Sequence, residues 1–131
     1  MHASPLIAII DDDESVCRAL KRLLASAAMD SEVFVSAEEF LAGCGTREPD
    51  CLVLDVQMPH MNGLDLQRKL ARMGRQIPIV FITAFDDKLS IHQALRAGAL
   101  AVLQKPLDAQ LLLDSIEAAL AHKAPLNGGM K

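Results

Sequence analysis

Apolar positions in this chain fall into two alternating kinds of run. Short unbroken ones are LIAII (6–10), SEVFV (31–35), Asp50 to Leu54, IPIVFIT (77–83) and ALAVLQ (99–104). Their length and Val/Ile content predict five strands, and the continuity of the apolar residues predicts burial on both faces. Between them the apolar spacing turns helical. From Glu14, the residues Val16, Ala19, Leu20, Leu23 and Leu24 recur on one helix face. Ser36 with Glu39 three positions on forms a capping box that opens a second helix over SAEEFLAG, with Gly43 as its stop. Leu64, Leu66, Leu70 and Met73 predict a helix ending at Gly74, and DKLSIHQALRAG predicts one closed by Gly98. Leu107 to His122 predicts a last amphipathic helix, and PLNGGMK beyond Ala124 reads as a frayed tail.

Five successive β-α units with buried strands imply an α/β fold, a doubly wound five-stranded parallel sheet with helices on both faces. Ligands of such sheets sit outside the carboxyl ends of the strands. The first strand delivers Asp11, Asp12 and Asp13 to that edge, the third Asp55, the fourth Thr83 and the fifth Lys105. Clustered carboxylates without a basic neighbour repel one another, which raises the pKa of at least one. A hard divalent cation relieves this, and an oxygen donor set suits Mg²⁺. Asp55 could then act as a nucleophile toward a phosphoryl group. Lys105 and the metal would neutralise its oxygens, and the Thr83 hydroxyl would donate a hydrogen bond to it. Each residue alone has a plainer reading: acids at a helix start, a β-forming Thr, a solvated Lys. Their joint arrival at successive strand ends favours the phosphoacceptor reading.

Composition narrows the field. The chain has 131 residues, 51% hydrophobic and 23% charged, the make-up of one globular domain. A net charge of −4 and the absence of Trp and Tyr argue against a nucleic-acid surface. No apolar run approaches the ~20 residues of a membrane span, and the N-terminus lacks the basic region of a signal peptide. Cys17, Cys44 and Cys51 have no metal-site spacing, and His2, His60, His92 and His122 form no cluster. Reduced cysteines and a cytoplasmic location are therefore expected.

The segments IIDDDESV (9–16), LDVQMPHMNG (54–63), FITA (81–84) and KP (105–106) together resemble a two-component response-regulator receiver domain. SAEEFLA and CLVLDVQMPHMNGLDLQRKL further resemble receivers of the FixJ type. The resemblance covers residues 6 to 122 and implies a flavodoxin-like strand order 2-1-3-4-5. It gives residues 1–124 as the receiver and 125–131 as a disordered tail or the start of a linker. It implies that a sensor histidine kinase phosphorylates Asp55. Mg²⁺ would be held by Asp12 directly, by Asp11 through water, by Asp55 and by the Gln57 backbone carbonyl. Thr83 would be the switch hydroxyl, Lys105 the phosphate-binding lysine, and Lys105–Pro106 a cis bond. Asp13, at a variable place in the pattern, reads as a surface or N-cap carboxylate.

Such a domain catalyses only its own phosphorylation and dephosphorylation and acts on a downstream effector or fused output domain. No nucleic acid or membrane contact is expected through it, and a phosphorylation-dependent dimer is compatible with the resemblance. No helix-turn-helix pattern follows His122, so the chain is either free-standing or part of a longer regulator.

Three departures matter. Val102 stands where most receivers carry an aromatic switch residue. The loop AFDD (84–87) replaces a Gly-His-Gly-Asp pattern, so Ala84 and Asp86 restrict its backbone. Phe85 is the aromatic left to shield the phosphoryl group and to take over the switch. Rival readings are weaker. A haloacid-dehalogenase-type phosphatase needs a second acid at position 57, which is Gln57. A flavin or nucleotide binder needs a phosphate loop after the first strand, where acids stand instead. A phosphorylation-independent interaction module usually lacks one of the acids.

Overall fold

The computed structural model describes residues 4–43, 47–84 and 88–123, the last without the Lys123 side chain. Five strands, β1 (Leu6–Ile10), β2 (Asp30–Phe34), β3 (Cys51–Asp55), β4 (Ile79–Thr83) and β5 (Ala101–Gln104), form one parallel sheet in the order β2-β1-β3-β4-β5. Five helices alternate with them: α1 (Glu14–Ser26), α2 (Ala37–Ala42), α3 (Gly63–Arg72), α4 (Lys88–Arg96) and α5 (Ala109–Lys123). The doubly wound sheet expected from the apolar pattern is the one observed.

The period-two alternation of strand side chains divides the core into two layers. Ile7, Ile9, Cys51, Val53, Val80 and Ile82 pack with Leu20 and Leu24 of α1 and with Leu112 and Ile116 of α5. Ala8, Ile10, Leu52, Leu54, Ile79 and Phe81 face Phe40 of α2, Leu66 and Leu70 of α3 and Ala94 of α4. Each fully buried Ile, Leu or Phe contributes about 1.5–3 kcal/mol over leaving it exposed.

Three helices end in the same way. In α1, α3 and α4 the residue after the C-cap adopts a left-handed backbone, at Ala28 (φ 61°), Gly74 (φ 74°) and Gly98 (φ 105°). The N–H groups of Met29, Arg75 and Ala99 then reach back to the carbonyls of Leu24, Leu70 and Ala94 at 2.9–3.0 Å. This pairing satisfies carbonyls that the helix end leaves open. Glycines signalled two of these stops in the sequence, and alanine hid the third.

Element ends differ from the expectation by a few residues. Val35 leaves β2; Ser36 caps α2 by accepting from the Glu39 N–H at 2.9 Å, but Glu39 Oε1 accepts from the Val35 N–H at 2.9 Å, one residue before the cap, so the return bond of the expected capping box is displaced. Asp50 is not in β3; its carboxylate accepts from the Leu6 N–H at 2.9 Å, and Asp55 becomes the last strand residue. Leu107 lies outside α5, whose first turn is capped by Asp108 Oδ1 accepting from the Leu111 N–H at 3.0 Å. The last helix buries one face as expected, with Leu112, Ile116 and Ala119 in the core, while Leu111 stays half exposed.

Candidate functional site

The site lies at the carboxyl ends of β1, β3, β4 and β5. Asp11 follows β1 and is fully buried; its N–H donates to the Phe34 carbonyl at 3.1 Å, which extends the sheet by one residue. Its two carboxylate oxygens have separate partners. Oδ1 accepts from the Asp13 N–H at 2.9 Å, and Oδ2 accepts from Lys105 Nζ at 3.1 Å. Asp12 is exposed. Asp13 caps α1, with Oδ1 accepting from the Ser15 N–H at 2.9 Å and the Ser15 hydroxyl at 2.7 Å. These bonds, the hydroxyl first, hold its carboxyl below the usual range.

Asp55 is only 4% exposed at the end of the central strand. Oδ1 accepts from the Gln57 N–H at 3.1 Å, and Oδ2 faces Lys105 Nζ at 3.5 Å. Oxygens of Asp11, Asp12 and Asp55 lie within 4.8 Å of one another. Lys105 is thus the basic neighbour of the acidic cluster, but one ammonium does not cancel three carboxylates. Burial first, then the Asp11 charge, pushes the Asp55 carboxyl up to about 7, against the pull of Lys105. Burial draws the Lys105 pKa down, yet the hydrogen bond to Asp11 and the Asp55 charge outweigh it and leave the ammonium more basic than usual. Oxygen-only and under-neutralised, with Asp11 and Asp55 buried and Asp12 exposed, the donor set fits a hard divalent cation.

Backbone bonds lock the frame. Val56 N–H donates to the Ile82 carbonyl at 2.9 Å, and Lys105 N–H to the Thr83 carbonyl at 2.8 Å. The Lys105–Pro106 bond is cis. Thr83 is 2% exposed, and its hydroxyl donates to Gln57 Oε1 at 2.9 Å. Asp11, Asp12, Asp55, Gln57, Thr83 and Lys105 are therefore brought together.

Ala84 is exposed at the start of the next loop, while Phe85, to which shielding and switching were assigned, lies outside the described residues. Val102 is partly buried and packs against the layer under α2, α3 and α4. Among residues given no role in the sequence, Cys17 donates its thiol to the Asp11 carbonyl at 3.2 Å. Burial and the Asp11 charge push that thiol up to about 11, which makes it unreactive. Gly63 opens α3 against the backbone of Asp55, a close approach that its glycine alone would have suggested.

A family model, the response regulator receiver domain, matches residues 7–117. The chain belongs to that family. As a receiver domain of two-component systems it is 44% identical over 115 residues to the response regulator protein TmoT of Ectopseudomonas mendocina. That alignment covers 88% of this chain and 52% of TmoT, so the chain spans about half the length of that relative. Among solved structures, the response regulator StyR superposes with a TM-score of 0.88 at 41% identity, over 98% of this chain and 65% of that one. FixJ-N superposes at 0.84 with 31% identity, over 92% and 97% respectively. The family match thus spans residues 7–117, and the receiver fold is shared with FixJ-N over 92% of this chain.

Proposed function

We propose that this receiver domain accepts a phosphoryl group on Asp55 from a sensor histidine kinase. The observation that carries the reading is the aim of Asp55: a strand-end carboxylate buried between an acidic cluster and an ammonium. An oxygen of Asp55 attacks phosphorus while the bond from phosphorus to the donor nitrogen breaks, and the electron pair of that bond leaves with the imidazole. Lys105 balances charge on the phosphoryl oxygens, and Thr83 supplies a hydroxyl donor at their edge.

With its pKa near 7, Asp55 is a poor nucleophile unless its ionised form is favoured. Mg²⁺ held by Asp11, Asp12, Asp55 and the Gln57 carbonyl would favour that form and neutralise the transferred charge. Asp13 is outside this set because its Oδ1 already caps α1. The chain would catalyse only its own phosphorylation and dephosphorylation. Its output would be a changed protein surface read by an effector, by a fused output domain or by a second phosphorylated copy. A cytoplasmic location follows from the kinase partner, and no described helix is long and apolar enough to cross a membrane.

The test is a phosphate-affinity gel after incubation with acetyl phosphate. A retarded band should form with Mg²⁺, fail without it and be absent in Asp55→Asn. A band that survives in the variant would overturn the assignment.

A further inference from the structure

Thr83 has one hydroxyl proton, and that proton lies on Gln57 Oε1 at 2.9 Å. The Thr83 end of the bond is buried, at 2% exposure, and the Gln57 end is half-buried. Gln57 is anchored in turn, because its N–H donates to Asp55 Oδ1 at 3.1 Å. The three residues sit on neighbouring strand ends, with Asp55 paired in register to Ile82 and Val56 N–H bonded to the Ile82 carbonyl. One residue therefore touches both the carboxylate that would be phosphorylated and the hydroxyl that would answer it.

A hydroxyl offers a single donor. A phosphoryl oxygen on Asp55 can receive the Thr83 hydrogen bond only when Gln57 no longer does. We infer that Gln57 is a positioning residue whose side-chain amide competes with the phosphoryl group for the Thr83 proton and so holds the hydroxyl in its resting place. The inference rests on the phosphoacceptor reading of Asp55. It differs from a role for Gln57 in guiding water, because it acts on the equilibrium between resting and engaged states and not on hydrolysis.

Removing the amide oxygen weakens the resting state. A net hydrogen bond of ordinary strength corresponds to roughly a two- to tenfold change in that equilibrium. Gln57 could also touch the phosphoryl group directly, and a double-mutant cycle with Thr83 separates the two effects. Beryllofluoride serves as the probe, as a phosphoryl mimic that does not turn over. It is titrated with Mg²⁺ into the wild type, Gln57→Met, Thr83→Val and the double variant, with binding followed by NMR.

Gln57→Met should bind the mimic roughly two- to tenfold more tightly than the wild type, and the gain should vanish in the Thr83→Val background. Before any mimic is added, the Thr83 methyl resonance of Gln57→Met should already lie displaced toward its bound position. Equal effects of Gln57→Met in both backgrounds, or an unmoved Thr83 methyl, would overturn the inference. A wild-type chain that takes up no beryllofluoride would instead overturn the reading of Asp55 itself.

Discussion

Replacing Gly63 by alanine should move Asp55. A methyl group built on Gly63 would lie 2.4 Å from the Asp55 carbonyl oxygen and 2.9 Å from Phe81 Cε1. Real Cβ atoms essentially never come closer than 3.0 Å, so α3 and the Asp55 backbone must part by at least about 0.6 Å. Little nearby can yield. Asp55 ends the central strand, Phe81 is fully buried, and the Gly63 N–H is bonded to the Val56 carbonyl at 2.9 Å.

Overpacking of this kind costs about 1–3 kcal/mol, and the better helix propensity of alanine recovers up to about 1 kcal/mol. A net loss of about 1–2 kcal/mol should appear as a lower urea midpoint at unchanged slope. The kinetic effect should be larger, because a 1 Å misplacement of reacting groups can cost on the order of 100-fold. The rate of phosphorylation by acetyl phosphate should fall on the order of tenfold or more by the same reasoning. Wild-type stability together with a wild-type rate would refute the steric argument. Lost stability with an unchanged rate would refute the link from Gly63 to the position of Asp55.

Ala28→Gly should stabilise the chain. A left-handed alanine costs about 1–2 kcal/mol and the added unfolded-state freedom of glycine returns about 0.4–1 kcal/mol of that, so a thermal midpoint that fails to rise would contradict the reading of the α1 terminus. Without metal, stability should fall as pH rises toward and through about 7. The folded Asp55 keeps its proton up to about 7, whereas an unfolded aspartate loses it near pH ~3.9. The contribution is complete below the unfolded value, and urea midpoints that show the same slope in Asp55→Asn would refute it. Lys105→Met should drive the Asp55 pKa above about 7, since the ammonium at 3.5 Å is what holds it down; a carboxyl-carbon NMR titration that shows a fall would contradict this.

The strands and most helix ends were legible in the sequence because buried parallel strands are continuous apolar runs and Gly74 and Gly98 stand where left-handed stops are needed. The stop after α1 was not, because alanine at position 28 adopts the same conformation against its own preference. The strand-end acids, Thr83 and Lys105 were legible through the α/β rule that sites form at carboxyl edges. Their pairing was not. That Lys105 reaches both Asp11 and Asp55 depends on the depth of each side chain and not on spacing along the chain. The Thr83–Gln57 bond joins positions 26 residues apart, and nothing local to either residue announces it. Gly63 lay in plain view within MNG and suggested a close approach; which atoms it meets, the Asp55 carbonyl at the end of β3 and the Phe81 ring of β4, was visible only in the fold.

The central claim is that Asp55, and no other acid of the cluster, carries the phosphoryl group. Borohydride reduces an acyl phosphate on an aspartate to homoserine, leaving a permanent mark at the modified residue. The chain phosphorylated in Mg²⁺ should, after reduction and peptide mass spectrometry, contain homoserine at position 55 alone. Homoserine at position 11, 12 or 13, or none at position 55, would contradict the account.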